Sequence, residues 1–405
     1  MCIRDRDYSW DEKAKIAKVT IEQKQKLSDD VLLFNFPLTI RFKTKSATVD
    51  RQITVKEKAE DFYFPLSEAP DVVRIDPELT VLAKITFSPS TSMLYAQLGE
   101  KADMIGRLIA AEQLGSKKER GAVARLKDVL NKDAFYGVRM AASKALQAIN
   151  TDEAYEALLA SARQEDARAR QQVLTDIATF YRERTYEHAL KVAREEKNPD
   201  LRAQALRVVG AYPKSEVDDV LREFLASDSY KNVLADGAVN GLRATGDAKY
   251  VEPLLAVLKE REGQFTSGGF ARGLDTLAQL GRHQQDKTAV REFLVSKVNH
   301  KKERVQMAVL AALGTLNDPK AIAVLEPFAA SSVEGPERTA AERALTALRE
   351  NRPASAELGS LRTEVLTLQK ENRDLRRDLD DLKKKLEAVA SPQAPPKKKS
   401  SSGAR

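Results

Sequence analysis

Val138-Arg139-Met140-Ala141-Ala142-Ser143-Lys144-Ala145-Leu146 decides how this chain is read. Val138, Ala142 and Leu146 lie four apart, so they share one face of a helix. The middle residue is small and the last is a large aliphatic. The triplet returns in Leu201-Arg202-Ala203-Gln204-Ala205-Leu206-Arg207-Val208-Val209. Followed along the chain, its middle position falls at Ala110, Ala142, Val173, Ala205, Ala238, Gly273, Val309 and Ala341, at intervals of 31 to 36 residues. Four residues after each come Leu114, Leu146, Ile177, Val209, Leu242, Leu277, Leu313 and Leu345, every one aliphatic.

A second amphipathic helix precedes each of these, as in 154–162, 216–225, 250–258 and 321–328. Turn signals separate the helices: Asn150-Thr151-Asp152, Thr245-Gly246-Asp247 and Asn317-Asp318-Pro319. Pro319 stands at a helix start, where a missing N–H costs nothing. Two helices per roughly 33 residues, repeated eight times, predict an α-solenoid. The small middle residue lets neighbouring helices approach closely. The openings Val138-Arg139 and Leu201-Arg202 resemble HEAT-like repeats of the short, lyase-associated type. A HEAT-like α-α superhelix is therefore expected over 96–352, as one continuous curved array.

Upstream the period changes to two. Ala17, Val19 and Ile21 alternate with Lys18, Thr20 and Glu22. Phe36, Leu38, Ile40 and Phe42 share a face, as do Ile53 and Val55, then Phe62, Phe64 and Leu66, then Val81, Ala83, Ile85 and Phe87. About seven short strands in this stretch predict a β-sandwich over 8–95. Residues 1–7 (Met-Cys-Ile-Arg-Asp-Arg-Asp) show no pattern that joins them to it. They are expected to be an artefactual start on a truncated reading frame, with the true N-terminus missing.

Downstream, Leu358, Leu361, Val365, Leu368, Asn372, Leu375, Leu379, Leu382, Leu386 and Val389 are spaced alternately by three and four. With Leu358 at position a, this heptad pattern predicts a coiled coil over 357–390. The dimerisation residues would be Val365, Leu368, Asn372, Leu375, Leu379 and Leu382. Asn372 is the one polar residue of the ten and falls at a, where it favours two parallel strands. Glu371 at g would face Arg376 at e of the partner, and Asp378 would face Lys383. The last stretch, 391–405, is rich in Pro, Lys and Ser and is expected to be a disordered basic tail.

Composition closes off several kinds of function. The formal charge is +7, with 67 basic and 60 acidic residues. Lys397, Lys398, Lys399 and Arg405 supply more than half of the excess, so the body is nearly neutral and lacks the basic face of a nucleic-acid binder. No apolar run reaches the roughly 18 residues of a membrane span. Cys2 is the sole cysteine, which excludes an internal disulfide framework and a cysteine-rich zinc site. The poverty in cysteine fits a cytoplasmic protein and also many periplasmic ones.

Catalytic patterns are missing too. His188, His283 and His300 are never four apart, so the two-histidine helix of a zinc peptidase is absent. His188 reads as a solvated surface histidine. Gly268, Gly269 and Gly273 read as close packing within a repeat helix. The pairs Asp218-Asp219 and Asp380-Asp381 read as charged helix faces. No catalytic and no metal-ligating residue is expected in the chain.

One stretch carries a family resemblance. Val19-Thr20-Ile21-Glu22-Gln23-Lys24-Gln25 is followed by Phe36-Pro37-Leu38-Thr39-Ile40, Phe62-Tyr63-Phe64-Pro65-Leu66 and Val73-Arg74-Ile75-Asp76-Pro77. This order resembles the β-sandwich that follows the catalytic domain in zinc aminopeptidases of the aminopeptidase N family, over about 8–90. A catalytically inactive relative with the same sandwich serves in a general transcription factor. The resemblance implies a helical C-terminal domain arching over the active-site entrance, with zinc held in a catalytic domain upstream. The family's zinc-binding motifs do not occur here, so no catalytic residue carries over. The implied function is a non-catalytic portion packing on that domain and shaping substrate access. The alternative is a HEAT-repeat scaffold that binds a protein partner on its concave face.

Overall fold

The computed structural model describes residues 2–350 and 358–390, with side chains over 8–350, 365–379 and 382–383. The 391–405 tail lies outside the described residues. The chain divides into two compact units, 1–180 and 181–405.

The first unit opens with seven strands: β1 (Cys2–Asp11), β2 (Ile16–Gln23), β3 (Phe36–Lys43), β4 (Thr48–Val55), β5 (Ala59–Pro65), β6 (Val72–Ile75) and β7 (Lys84–Thr86). They form a four-stranded sheet in the order β5-β2-β1-β7 and a three-stranded sheet in the order β4-β3-β6. β1 begins at Cys2, inside the segment expected to be unrelated, and pairs antiparallel with β2 and parallel with β7. The period-two faces meet in one core. Ala17, Val19 and Ile21 of β2 pack with Leu38, Ile40 and Phe42 of β3. Phe42 and Phe64, from opposite sheets, have ring centroids 5.0 Å apart. All four residues of β6 are buried, because the strand faces the sandwich on one side and α1 (Thr91–Leu98) on the other.

Five helices complete this unit: α2 (Met104–Ser116), α3 (Val123–Lys132), α4 (Tyr136–Ile149), α5 (Asp152–Ala160) and α6 (Ala167–Ile177). The even-numbered helices stack on one another, while α3 and α5 form a second layer. The Ser90 hydroxyl accepts from the Met93 amide, the Asp103 carboxylate from the Gly106 amide and the Thr151 hydroxyl from the Ala154 amide. Each thereby satisfies one of the orphaned donors of a helix N-terminus.

The second unit contains α7 (Glu183–Glu195), α8 (Pro199–Val209), α9 (Glu216–Ala226), α10 (Val233–Thr245), α11 (Val251–Glu260), α12 (Ser267–Gly281), α13 (Thr288–Val295), α14 (Glu303–Leu316), α15 (Ile322–Ala329), α16 (Pro336–Glu350) and α17 (Leu358–Ala390). Here α8, α10, α12, α14 and α16 stack in sequence. Gly246 and Asn317 close α10 and α14 in the left-handed conformation, as Asn150 closes α4 in the first unit. These residues accept positive φ most readily. Pro319 opens a 3-10 turn that leads into α15.

The triplet frame sits at the centre of both units. Every middle residue from Ala110 to Ala341 and every aliphatic four residues later is buried. A further register follows from it. Five residues past the middle, Gly115 lies so close to α4 that an added Cβ would stand 2.7 Å from the Ala145 Cα. In the second unit Gly314 meets Ala344 in the same way, at 2.8 Å. Neighbouring backbones therefore touch where the sequence removes the side chain.

Candidate functional site

The residues that carry the family resemblance hold backbone rather than face solvent. The Gln23 side chain is 1% exposed. Its amide donates to the Phe34 and Glu57 carbonyls at 2.8 and 3.2 Å, and its oxygen accepts from the Phe34 amide at 3.0 Å. One side chain thus fastens the ends of two loops. Asp76, at φ 47° and also buried, accepts from the Thr80 amide and hydroxyl and from the Val81 amide at 2.7 to 2.9 Å. Arg74 is 4% exposed, donates to the Pro77 carbonyl and is ion-paired with Asp103, the N-cap of α2. The sandwich is tied to the first repeat through that pair. Above it lies a cavity of about 310 Å³ lined by Arg74, Asp76, Phe87, Gln97 and Gln113 among others.

A second set of positions appears three residues before each middle position. Arg107 donates to the Glu100 and Lys101 carbonyls at 2.9 and 2.7 Å. Arg170 donates to the Gln164 and Glu165 carbonyls, Arg202 to Ala193 and Arg338 to Ser331. Gln306 serves Val298 in the same place. Each cation meets the orphaned carbonyls at or just past the end of the preceding helix, where the helix dipole favours positive charge. The repeat of α10 has Ala235 at this position. There Arg261, just past α11, reaches back to the Leu225 and Ser227 carbonyls and to Asn232. The column is partial: Arg107, Arg139, Arg170, Arg202, Gln306 and Arg338 occupy it, while Ala235 and Phe270 interrupt it, and the repeat openings mark it in the sequence only at Arg139 and Arg202.

Titratable groups are scattered. Asp176 of α6 is 4% exposed and accepts from the Ser143 hydroxyl of α4 at 2.5 Å and from the Gln172 amide at 2.9 Å. Burial pushes its carboxyl up to about 6 despite these donors. His188 is half-buried on α7, and burial lowers its affinity for a proton. It is thus not the solvated residue the sequence suggested, because Thr185 and Ala189 beside it sink into the core. His300 approaches Glu262 at 3.2 Å, and Lys297 approaches the same carboxylate at 2.5 Å. Gly273 follows the packing reading, since a Cβ there would meet Leu258 at 2.6 Å. Among the described residues no three of His, Cys, Asp or Glu converge as a ligand set. The zinc implied by the resemblance finds no such ligand set among the described residues. No helix among the described residues is long and apolar enough to cross a membrane.

The predicted dimerisation residues all fall on α17, one helix of 33 residues. Val365, Leu368, Leu375, Leu379 and Leu382 are 40 to 66% exposed, and Asn372 is exposed with them. The structure thus brings the six onto one helix and leaves their stripe in solvent.

Comparison with known proteins agrees with the repeat architecture. Residues 91–177 and 270–346 match the HEAT-repeat family model, so the chain carries HEAT repeats in both units. No curated protein sequence matches the chain. Among solved structures, Legionella pneumophila aminopeptidase A in complex with aspartic acid is similar at 13% identity and a TM-score of 0.48, over 85% of this chain and 48% of its own. The chain spans about half the length of that enzyme. The complex of CpcE and CpcF of phycocyanin lyase from Nostoc gives 17% and 0.32, over 69% and 95%. Human deoxyhypusine hydroxylase in complex with glycerol gives 22% and 0.28, over 65% and 86%. At these identities and scores none of them transfers an activity to this chain.

Proposed function

We propose that this chain is the non-catalytic C-terminal portion of an aminopeptidase N-like zinc metallopeptidase of the cytoplasm. The observation that carries the reading is the ordered set of sandwich motifs from Val19 to Pro77. Gln23, Arg74 and Asp76 within it make loop-fastening bonds that generic strands would not need. In this reading the sandwich packs on a catalytic domain that holds the zinc, and the stacked helices shape the path by which peptides reach it. A second copy of the chain joins through Val365, Leu368, Asn372, Leu375, Leu379 and Leu382.

The second reading is a scaffold whose stacked helices bind a protein, including the inactive, transcription-factor type of relative. It is favoured by the HEAT-repeat match, since HEAT repeats commonly mediate protein interactions. The coding sequence upstream separates the two. An HExxH pair followed by a downstream Glu supports the peptidase, and altered ligands in a recognisable upstream domain support the scaffold. The chain alone should bind no stoichiometric zinc and hydrolyse no amino-acid anilides. Chelator-sensitive hydrolysis by it would overturn both readings.

A further inference from the structure

We propose that α17 pairs with α17 of a second copy as a parallel coiled coil, in register at Asn372. This rests on the self-association assigned above and fixes its geometry. At 1.5 Å per residue the 33-residue helix is about 50 Å long. Its described large apolar residues at a and d, Val365, Leu368, Leu375, Leu379 and Leu382, are 40 to 66% exposed in the single chain. A stripe this narrow, repeating every 3.5 residues, is buried by a like stripe supercoiled against it.

Charge selects the orientation. Between 371 and 383 position g holds Glu371 and Asp378 and position e holds Arg376 and Lys383; outside that span g holds Glu364 and Lys385, and e holds Arg362 and Gln369. In a parallel pair g of one helix lies beside e of the next heptad in its partner. Glu371 then meets the partner's arginine at 376, and Asp378 meets the lysine at 383, by both symmetry copies. In an antiparallel pair g lies beside g and e beside e, which sets carboxylate against carboxylate and cation against cation. Like charges at these positions oppose that pairing.

Asn372 selects the register. A buried amide left without a partner is costly. In the parallel pair, the two amides share one layer and satisfy each other. A slip by one heptad would place one amide against Leu379 and the other against Val365. The cost in stability relative to an apolar residue is exchanged for a single arrangement.

The test uses the full chain in a Cys2→Ser background, so that each introduced thiol stands alone. Val365→Cys and Leu382→Cys lie near opposite ends of the helix. Under a thiol–disulfide buffer, V365C is expected to link to itself and L382C to itself, while a mixture yields no preferential V365C–L382C product. Linking only in the mixture would overturn the parallel geometry and leave self-association standing. Light scattering is expected to give twice the chain mass, falling twofold for the Leu375→Asp, Leu379→Asp double variant. A full chain of single mass means that the helix folds back or stands alone, and overturns both. A double variant that stays dimeric moves the interface elsewhere and overturns both. Asn372→Val is expected to tighten association while admitting species larger than a dimer. A variant that is weaker and purely dimeric would overturn the role given to Asn372.

Discussion

The stacked repeat helices and α17 carry apolar stripes of similar chemistry, and those stripes end in opposite environments. Along the eight repeat helices the middle and aliphatic positions are buried. Along α17 the leucines at 368, 375, 379 and 382 are more than half exposed. The difference lies in what stands between the large residues. The repeat helices place alanine, glycine or valine at the middle of the triplet, so their backbones approach until Gly115 touches Ala145 and Gly314 touches Ala344. They also bury residues beside the stripe, such as Ala141, Ser143 and Ala145 in α4, which makes the apolar face wide. The α17 stripe is narrow and is flanked by the exposed Glu371, Arg376, Asp378 and Lys383.

The most severe break in the comparison is a charge placed on each stripe. Leu313→Asp would bury a carboxylate among apolar neighbours in α14, where Leu313 has no exposed surface, at a cost of roughly 4 kcal/mol. Limited proteolysis should then cut around α14 first, because each repeat leans mainly on its neighbours. Leu375→Asp on α17 should leave the repeats' resistance unchanged. Equal sensitivity at both sites would mean that α17 is part of the repeat core.

Next in size are the arginines that hold helix ends. Arg107 pairs with Asp133, both buried, with Nε to carboxylate at 2.6 Å. Arg107→Met leaves that carboxylate with the Phe135 amide but no cation, and strands two carbonyls, and should cost about 3–5 kcal/mol in the first unit. Arg261→Met loses bonds to carbonyls and to an exposed Asp228, so a smaller loss of about 1–2 kcal/mol is expected in chemical denaturation. Ala235→Arg added to Arg261→Met should recover part of that loss, by restoring the cation at its usual position. If the double variant falls further, the Arg261 interaction is not a substitute for the missing column.

Gly314→Val asks how tight the helix contact is. A Cβ would sit 2.8 Å from two atoms of Ala344, and overpacking of this kind costs about 1–3 kcal/mol. It outweighs the helix propensity gained on replacing glycine. A melting temperature at or above that of the parent chain would show that α14 and α16 can separate without penalty.

How much of this was legible in the sequence follows from the same contrast. The triplet frame located the repeat helices because burial and spacing are properties of single positions. The strands were legible for a related reason: alternation names a face, and the faces of β2 and β3 meet. Bonds between distant residues were not legible. Nothing in the sequence around Ala235 signals that Arg261, 26 residues later, supplies the missing cation, because the link depends on two helix ends meeting in space. His188 was misread for a similar reason, since its polarity says nothing of the neighbours that enclose it. The heptads of α17 mark a stripe on one helix, and the single chain leaves its described residues exposed.

The smallest expected effect concerns Asp176, which has no counterpart among the described residues of α17, where Glu371, Arg376, Asp378 and Lys383 are exposed. Its carboxyl is raised from 3.8 to about 6 by burial between α4 and α6. A raised value means that the folded state prefers the neutral acid. Below about pH 4 the group is neutral folded or unfolded, and its preference costs nothing. Between about pH 4 and 6 the unfolded chain ionises first, and stability falls as pH rises; above about 6 the full penalty is present. A shift of this size corresponds to at most roughly 3 kcal/mol, and relaxation around the carboxylate reduces it. Asp176→Asn keeps an oxygen to accept from Ser143 and removes the ionisation. It should therefore stabilise the first unit by about 1–2 kcal/mol at pH 8 and by little at pH 4, as read from urea midpoints at the two pH values. A variant that is less stable at both pH values would mean that the ionised carboxylate, held by Ser143 and Gln172, is the form the packing requires.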